Sequence, residues 1–351
     1  MFSFLSRKLH GPHQVKFARQ DLSIEVSPEQ TLLQAALAAG LPYPHNCRVG
    51  SCKTCKCRLL EGKVRQLTDT SYVFDASERK AGHILACQTR LLGDISIDID
   101  WSAAEQTKPA ISGTIAAVRP LTADIVELTI DLQAPMSYTA GQYAQISVPA
   151  LGIARSYSFC CAPDETPQTR LRFYVRHQPG GAFTDWLWAG RVGEPVQVQG
   201  PFGSFMLAHS SAPLLFIAGG SGLAPIKAIL EQALREGCGC DAVFLFGART
   251  RQDLYALDEI ETVAARWAGN FRFVPVLSEE PADSGWTGAA GLVSDALANR
   301  VGKLEAYQAY LCGPPPMVDA AAAALRACGV AEAAIRSDRF VVNGEKHLAT
   351  K

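Results

Sequence analysis

The chain has 351 residues, 48% hydrophobic and 19% charged, enough for two or three domains that each bury a core. Its 33 basic and 34 acidic side chains leave a net charge of −1, which excludes a general attraction to nucleic acid. No apolar run reaches the ~18–20 residues that span a bilayer, and the charged start at Arg7 and Lys8 does not read as a signal peptide, so a soluble cytoplasmic protein is expected.

In chain order, residues 15–26 read as two short strands with apolar and polar positions alternating, and residues 31–40 as a helix closed by Gly40. A cysteine-rich loop follows, then strands near 57–60 and 95–99 and a linker over 101–109. Strand-length runs at 113–118, 124–132, 142–148, 171–175 and 194–199, broken by Gly, Pro and Asp, predict a small antiparallel β-barrel. From residue 212 strands at 214–218, 242–246, 271–276 and 309–312 alternate with helices at 225–236, 257–268, 292–299 and 316–328. That alternation predicts an α/β domain built on a parallel sheet. The expected architecture is multi-domain, with boundaries at 1–101, 108–207 and 208–351.

Four of the eleven cysteines fall within residues 47–57. Cys47-Arg-Val-Gly-Ser-Cys52-Lys-Thr-Cys55, with Cys87 downstream, has the plant-type Cys-x4-Cys-x2-Cys spacing of a [2Fe–2S] cluster. Each iron needs two thiolates, and one loop supplies three only if its backbone curls, which Gly50 permits. Zinc would call for a second Cys-x2-Cys pair, and none lies at the right distance. Cys57, on the following strand, reads as a core thiol. Cys160, Cys161, Cys238, Cys240 and Cys328 read as structural, with Gly-Cys-Gly-Cys at 237–240 as a helix end. Charge is concentrated near the loop: Arg48, Lys53, Lys56, Arg58, Lys63 and Arg65 are opposed within 45–66 only by Glu61.

Further along, Arg155-Ser156-Tyr157-Ser158 ends a barrel strand with a phosphate partner, an aromatic face and hydroxyls. Pro179-Gly180-Gly181-Ala-Phe-Thr184 is a glycine turn entering a helix, where N–H groups meet a pyrophosphate. Gly219-Gly220-Ser221-Gly222, between a strand and a helix with Pro225 near its start, is a second such turn, though Pro225 stands where a dinucleotide fingerprint has its third glycine. Cys312-Gly313-Pro314 ends the last of these sheet strands, at the edge where such folds bind ligands. Each segment is weak alone.

Taken in order, the segments resemble the ferredoxin–NADP reductase superfamily with a plant-type ferredoxin at the N-terminus, over essentially the whole chain. Pro44-His-Asn-Cys47, Phe246-Gly-Ala-Arg249, Asp253-Leu-Tyr255 and Tyr310-Leu-Cys312-Gly-Pro-Pro read like reductase components of bacterial oxygenases, nearest to the xylene monooxygenase type. The resemblance implies a β-grasp [2Fe–2S] domain, a FAD barrel and an NAD domain. It puts Arg155 on the FAD phosphates, Tyr157 on the isoalloxazine and Ser158 near its N5, with Ser156, Gly180, Gly181 and Thr184 completing the flavin segments. Gly219, Gly220, Ser221 and Gly222 would meet the nicotinamide dinucleotide, and Cys312, with Gly313 and Pro314, the nicotinamide ring. Ser158 and Cys312 are thus the candidate catalytic residues. Phe340 corresponds to an aromatic that covers the flavin in relatives, but eleven residues follow it here.

NADH supplies two electrons as hydride and a cluster accepts one at a time, so FAD has to lie between them. The expected product is a monomeric reductase that passes single electrons to a partner oxygenase, either soluble (diiron or Rieske) or in the inner membrane. A stand-alone reductase of a small substrate such as a deoxysugar intermediate, or a redox-sensing module, are the alternatives. NADH is favoured by the resemblance, while Arg249 and Arg251, after the second nucleotide-domain strand, keep NADPH open.

Overall fold

The computed structural model describes residues 11–341 apart from 21, 46–49, 51–52, 69, 71–72, 75, 102–107, 209 and 301–303. They form two compact units, one ending at Lys108 and one running over Pro109–Val341.

In the first unit, β1 (His13–Phe17) and β2 (Leu22–Val26) make a hairpin that buries Val15, Phe17, Ile24 and Val26 on one face. Helix α1 (Leu32–Ala38) starts at Thr31, whose hydroxyl accepts the Gln34 N–H while the Gln34 side chain accepts the Thr31 N–H. Its Leu32, Leu33, Ala35 and Ala36 join the same core. After the cysteine loop come β3 (Lys56–Glu61), β4 (Val64–Gln66), α2 (Ala76–Lys80), β5 (His83–Leu85), β6 (Thr89–Leu91) and β7 (Ile95–Asp98). The sheet order is β2-β1-β7-β3-β5, with β1 and β7 parallel, and β4 pairs β6 in a separate ribbon. A mixed sheet with a helix packed on one face is the β-grasp expected from the sequence.

The second unit opens with β8 (Ala110–Pro120), β9 (Ile125–Met136), β10 (Tyr143–Val148), β11 (Ile153–Ser158) and β12 (Gln168–Arg176). Helix α3 (Ala182–Trp188) and β13 (Pro195–Phe202) follow. The antiparallel order is β11-β10-β13-β8-β9-β12, and a bridge between Phe159 and Phe173 joins the two outer strands into a barrel. Leu128, Ile130, Ile146, Phe173 and Val198 fill it, and α3 adds Phe183 and Leu187.

Then come β14 (Leu214–Gly219), α4 (Leu223–Arg235), β15 (Ala242–Ala248), α5 (Leu257–Arg266), β16 (Phe271–Leu277) and β17 (Ala289–Ala290). Helix α6 (Val293–Arg300), β18 (Gln308–Gly313), α7 (Pro315–Ala327) and β19 (Ile335–Arg339) follow among the described residues. All six strands are parallel, in the order β17-β16-β15-β14-β18-β19. Every residue of β14 is buried, as expected of a strand covered on both faces. Phe216, Phe244, Phe246 and Tyr310 face α4 and α5, and barrel residues Ile125, Tyr174 and Phe205 belong to that same core. Leu215, Ile217, Val243, Leu245 and Leu311 face the α6 and α7 side. Among the described residues no helix is long and apolar enough to cross a membrane.

Candidate functional site

Three places bring sequence-predicted residues together. In the first unit, Cys55 precedes β3 and Cys87 lies in a short turn after β5, which is hydrogen-bonded to β3. Both thiols are nearly inaccessible, 2% and 5% exposed, and the Cys87 N–H points at the Cys55 sulfur at 3.5 Å. An N–H directed at a buried sulfur suits a thiolate ligand. Gly50 takes φ +90°, and a Cβ there would lie 2.8 Å from the Gln88 side chain, so Gly50 packs closely on the residue that follows Cys87. This donor set fits an iron–sulfur cluster. Cys47 and Cys52 lie outside the described residues. Cys57, on β3, lies inside the core and is 2% exposed. Within 45–66 only Glu61 opposes the basic side chains, but the fold adds Glu78, from α2, which pairs with Lys53 at 2.8 Å and Lys56 at 2.9 Å.

On the barrel, β11 pairs Ser156 with Gln145, Tyr157 with Ala144 and Ser158 with Tyr143. The Tyr157 ring packs 5.2 Å from Phe183 of α3, and burial holds its phenol protonated well above the ordinary range despite nearby Arg155. Arg155 turns one nitrogen back onto the Ala154 carbonyl at 2.8 Å, and Ser158 is buried. Gly180 sits at φ +78° with open space around it, leaving the backbone of the turn approachable by a phosphate. A Cβ on Gly181 would strike the Gln178 carbonyl and the Thr184 hydroxyl, both at 2.8 Å. That hydroxyl donates to Gln178 O at 2.9 Å and accepts the Gln178 N–H at 3.2 Å. Thr184 therefore braces the glycine turn from behind.

The parallel sheet ends in a cleft of about 310 Å³ at the carboxyl edges of β14, β15 and β16 and the start of α7. Gly219, Gly220, Arg249 and Pro314 line it, as the sequence suggested. Its floor depends on missing side chains: a Cβ on Gly219 would meet Met317 Sδ at 2.4 Å, and one on Gly247 would meet Val293 at 2.5 Å. A shallow cradle at a strand edge, followed by a helix start, fits a dinucleotide. Ser221 and Gly222 form the turn into α4, and Gly222 packs on the Cys312 backbone. Cys312 is fully buried in the core shared with the barrel, and that burial, with Asp338 adding, keeps its thiol neutral. Phe340 donates its N–H to Gly313 O at 2.9 Å, so the aromatic lies beside the nucleotide edge.

Sequence reasoning missed the cleft's charged wall. Asp124, just before β9, accepts from Arg176 of β12 at 2.9 Å and from Arg249 at 3.4 Å. Arg249 also bonds Asp253 at 3.0 Å, and this bond, with the attraction of Asp253, keeps the guanidinium firmly charged. Tyr255 donates to the Gly220 carbonyl at 2.9 Å.

Also missed was a row along α4. Lys227 reaches the Glu231 carboxylate at 2.5 Å and the Cys160 carbonyl at 3.3 Å. Glu231 accepts the Ala162 N–H at 2.8 Å, and Arg235 bonds the Pro163 carbonyl. At i, i+4 and i+8 these side chains lie on one helix face. They grip the chain that continues from Ser158, while the same helix begins at the glycine loop.

Comparison with known proteins matches residues 15–92 to the 2Fe-2S iron-sulfur cluster binding domain and 113–207 to the oxidoreductase FAD-binding domain. Residues 216–323 match the oxidoreductase NAD-binding domain. The chain is 39% identical to the xylene/toluene monooxygenase electron transfer component XylA of Pseudomonas putida, over 92% of this chain and 91% of that one. It is 34% identical to the propane 2-monooxygenase reductase component of a Gordonia species, over 93% and 97%. Among solved structures, the ferredoxin reductase in carbazole 1,9a-dioxygenase superposes with a TM-score of 0.67 at 29% identity, over 94% of this chain and 98% of that one. With cluster, flavin and nucleotide domains in this order, the chain belongs to the ferredoxin-fused reductase components of oxygenase systems, within the ferredoxin–NADP reductase superfamily.

Proposed function

We propose that this chain oxidises NADH and delivers electrons one at a time to an oxygenase component, using FAD and a [2Fe–2S] cluster as its redox groups. FAD, when bound, supplies the conversion between hydride and single electrons that the pairing of nicotinamide with a cluster requires. The observation that carries the reading is α4, which begins at the Gly219–Gly222 loop and holds residues 160–163 through Lys227, Glu231 and Arg235. One rigid element thereby ties the nucleotide edge to the flavin strand, as transfer over a fixed short distance demands.

In this reading Cys47, Cys52, Cys55 and Cys87 hold the cluster. Arg155 and the backbone at Gly180–Gly181 meet the flavin phosphates, with Tyr157 against its ring system and Ser156 and Ser158 along the same strand. Ser158 and Cys312 would flank the point where a bound nicotinamide meets the flavin, with Phe340 beside the nucleotide edge. The three functional parts cover 1–101, 108–207 and 208–351. NADH is preferred because the guanidiniums that would read a 2′-phosphate already face carboxylates: Arg249 bonds Asp124 and Asp253, and Arg251 bonds Glu280 at 2.7 Å. The oxygenase approaches the first unit at exposed Arg58, Lys63 and Arg65, presenting an acidic face.

Ser158→Ala and Cys312→Ala test the site. Each should slow anaerobic flavin reduction by NADH roughly 10²-fold with a smaller change in affinity. Wild-type rates in both by stopped-flow absorbance would refute the assignment.

A further inference from the structure

Two cysteines have no part in the electron path. Helix α4 ends at Arg235, and the chain turns through Gly237 at φ +71° before β15 begins at Ala242. Within this turn the sulfurs of Cys238 and Cys240 lie 2.8 Å apart. Both ends of the turn are anchored. Cys238 donates its N–H to Ala233 O at 2.9 Å, and the Cys240 carbonyl accepts the Trp267 indole N–H at 2.8 Å. Beneath it, a Cβ on Gly269 would strike the Gly239 and Cys240 carbonyls at 2.6 Å, so the glycine lets the segments pack closely. Above it, Gly239 has open space, and both thiols are partly exposed. The other adjacent pair, Cys160 and Cys161, is buried with sulfurs 3.7 Å apart.

We infer that Cys238-Gly239-Cys240 is a redox-active dithiol that a peroxide oxidises reversibly to an intrachain disulfide. A disulfide needs its sulfurs at about 2.05 Å, a closure of roughly 0.8 Å from the present separation, and flexible Gly239 lies between the two cysteines. Burial, and the Cys238 thiol beside it, push the Cys240 thiol up to about 12. The sulfur of one cysteine, giving up its proton, forms an S–O bond with one peroxide oxygen as the O–O bond breaks, and the departing oxygen leaves as water. The sulfur of the other cysteine then displaces the second oxygen, which also leaves as water. Two thiols lose two electrons and two protons, and one peroxide becomes two waters. A dithiol reductant reverses the oxidation by exchange.

Trypsin releases both cysteines, and no others, in the peptide 236–249. The full-length holoprotein, titrated with hydrogen peroxide, denatured, alkylated with N-ethylmaleimide and digested, should yield this peptide without adducts and about 2 Da lighter than the dithiol. It should form at lower peroxide doses than any change at Cys160, Cys161 or Cys328, and disappear after dithiothreitol. Cys238→Ser should abolish the light species while NADH–ferricyanide activity stays unchanged. The inference fails if the peptide remains doubly alkylated at doses that modify the other cysteines. It also fails if the peptide goes directly to sulfinic acid, or if the disulfide forms only between chains.

Discussion

Removing Glu231 should harm the protein more than removing Lys227, although the two make one ion pair. The Lys227 ammonium side chain is 3% exposed and the Glu231 carboxylate 21%. Glu231→Met strands a buried cation whose remaining neighbours are the Cys160 carbonyl at 3.3 Å and the Cys161 sulfur at 4.0 Å, which should cost about 3–5 kcal/mol. Lys227→Met leaves a carboxylate that still accepts the Ala162 N–H and reaches solvent, a loss of about 1–3 kcal/mol. The double variant removes the stranded charge but orphans the Ala162 N–H, so it should recover to about 1–3 kcal/mol below wild type. Urea unfolding of the three variants, followed by circular dichroism, measures the order. A chemical readout accompanies it. Cys161 already ionises more easily than a free thiol, chiefly through its bond with Cys160 and with help from Lys227, whereas Glu231 opposes this. Glu231→Met should therefore move the pH profile of Cys161 alkylation further down, and Lys227→Met should move it up. Equal losses in the two single variants, or a double variant worse than Glu231→Met, would refute the reasoning.

Serine at Cys47, Cys52, Cys55 or Cys87 should abolish the cluster's visible and paramagnetic signals while sparing flavin reduction by NADH, and Cys57→Ser should keep both. Loss of the cluster in Cys57→Ser would overturn the ligand set. Gly222→Ala drives a methyl to 2.4 Å from the Cys312 carbonyl, backbone against backbone. It should lower stability by about 1–3 kcal/mol and weaken NADH binding, measured by thermal unfolding and titration. Glu280→Gln releases Arg251 and should raise the kcat/KM ratio of NADPH to NADH roughly tenfold, with an unchanged ratio counting against the assigned coenzyme reading.

What could be read in the sequence was local in nature. Cysteine spacing pointed to Cys55 and Cys87, and the alternation of strands and helices after residue 212 announced the parallel sheet that holds β14. Glycine turns at 180–181 and 219–222 marked backbones that must come close to something. The charged wall of the cleft was not legible, because Asp124, Arg176 and Arg249 meet across 125 positions and only the folded barrel brings them together. Glu78 likewise reaches Lys53 and Lys56 from an unremarked short helix. Strand β19 carries Arg336, Ser337, Asp338 and Arg339 at the sheet edge, where no apolar alternation is needed. Lys227 did leave a signal: a lone lysine inside Leu223-Ala-Pro-Ile-Lys-Ala-Ile-Leu230 has to find a buried partner, and the acid at i+4 was there to be paired.

The single core that runs from Ile125, Tyr174 and Phe205 of the barrel into Phe216, Phe244 and Tyr310 of the parallel sheet limits how this chain can be dissected. A fragment starting near residue 208 would bare that aromatic face to water and lose Asp124 and Arg176, half of the cleft's charged wall. Chimaeras between related reductases should therefore join at Lys108–Pro109, with everything from Pro109 to Val341 exchanged as one piece.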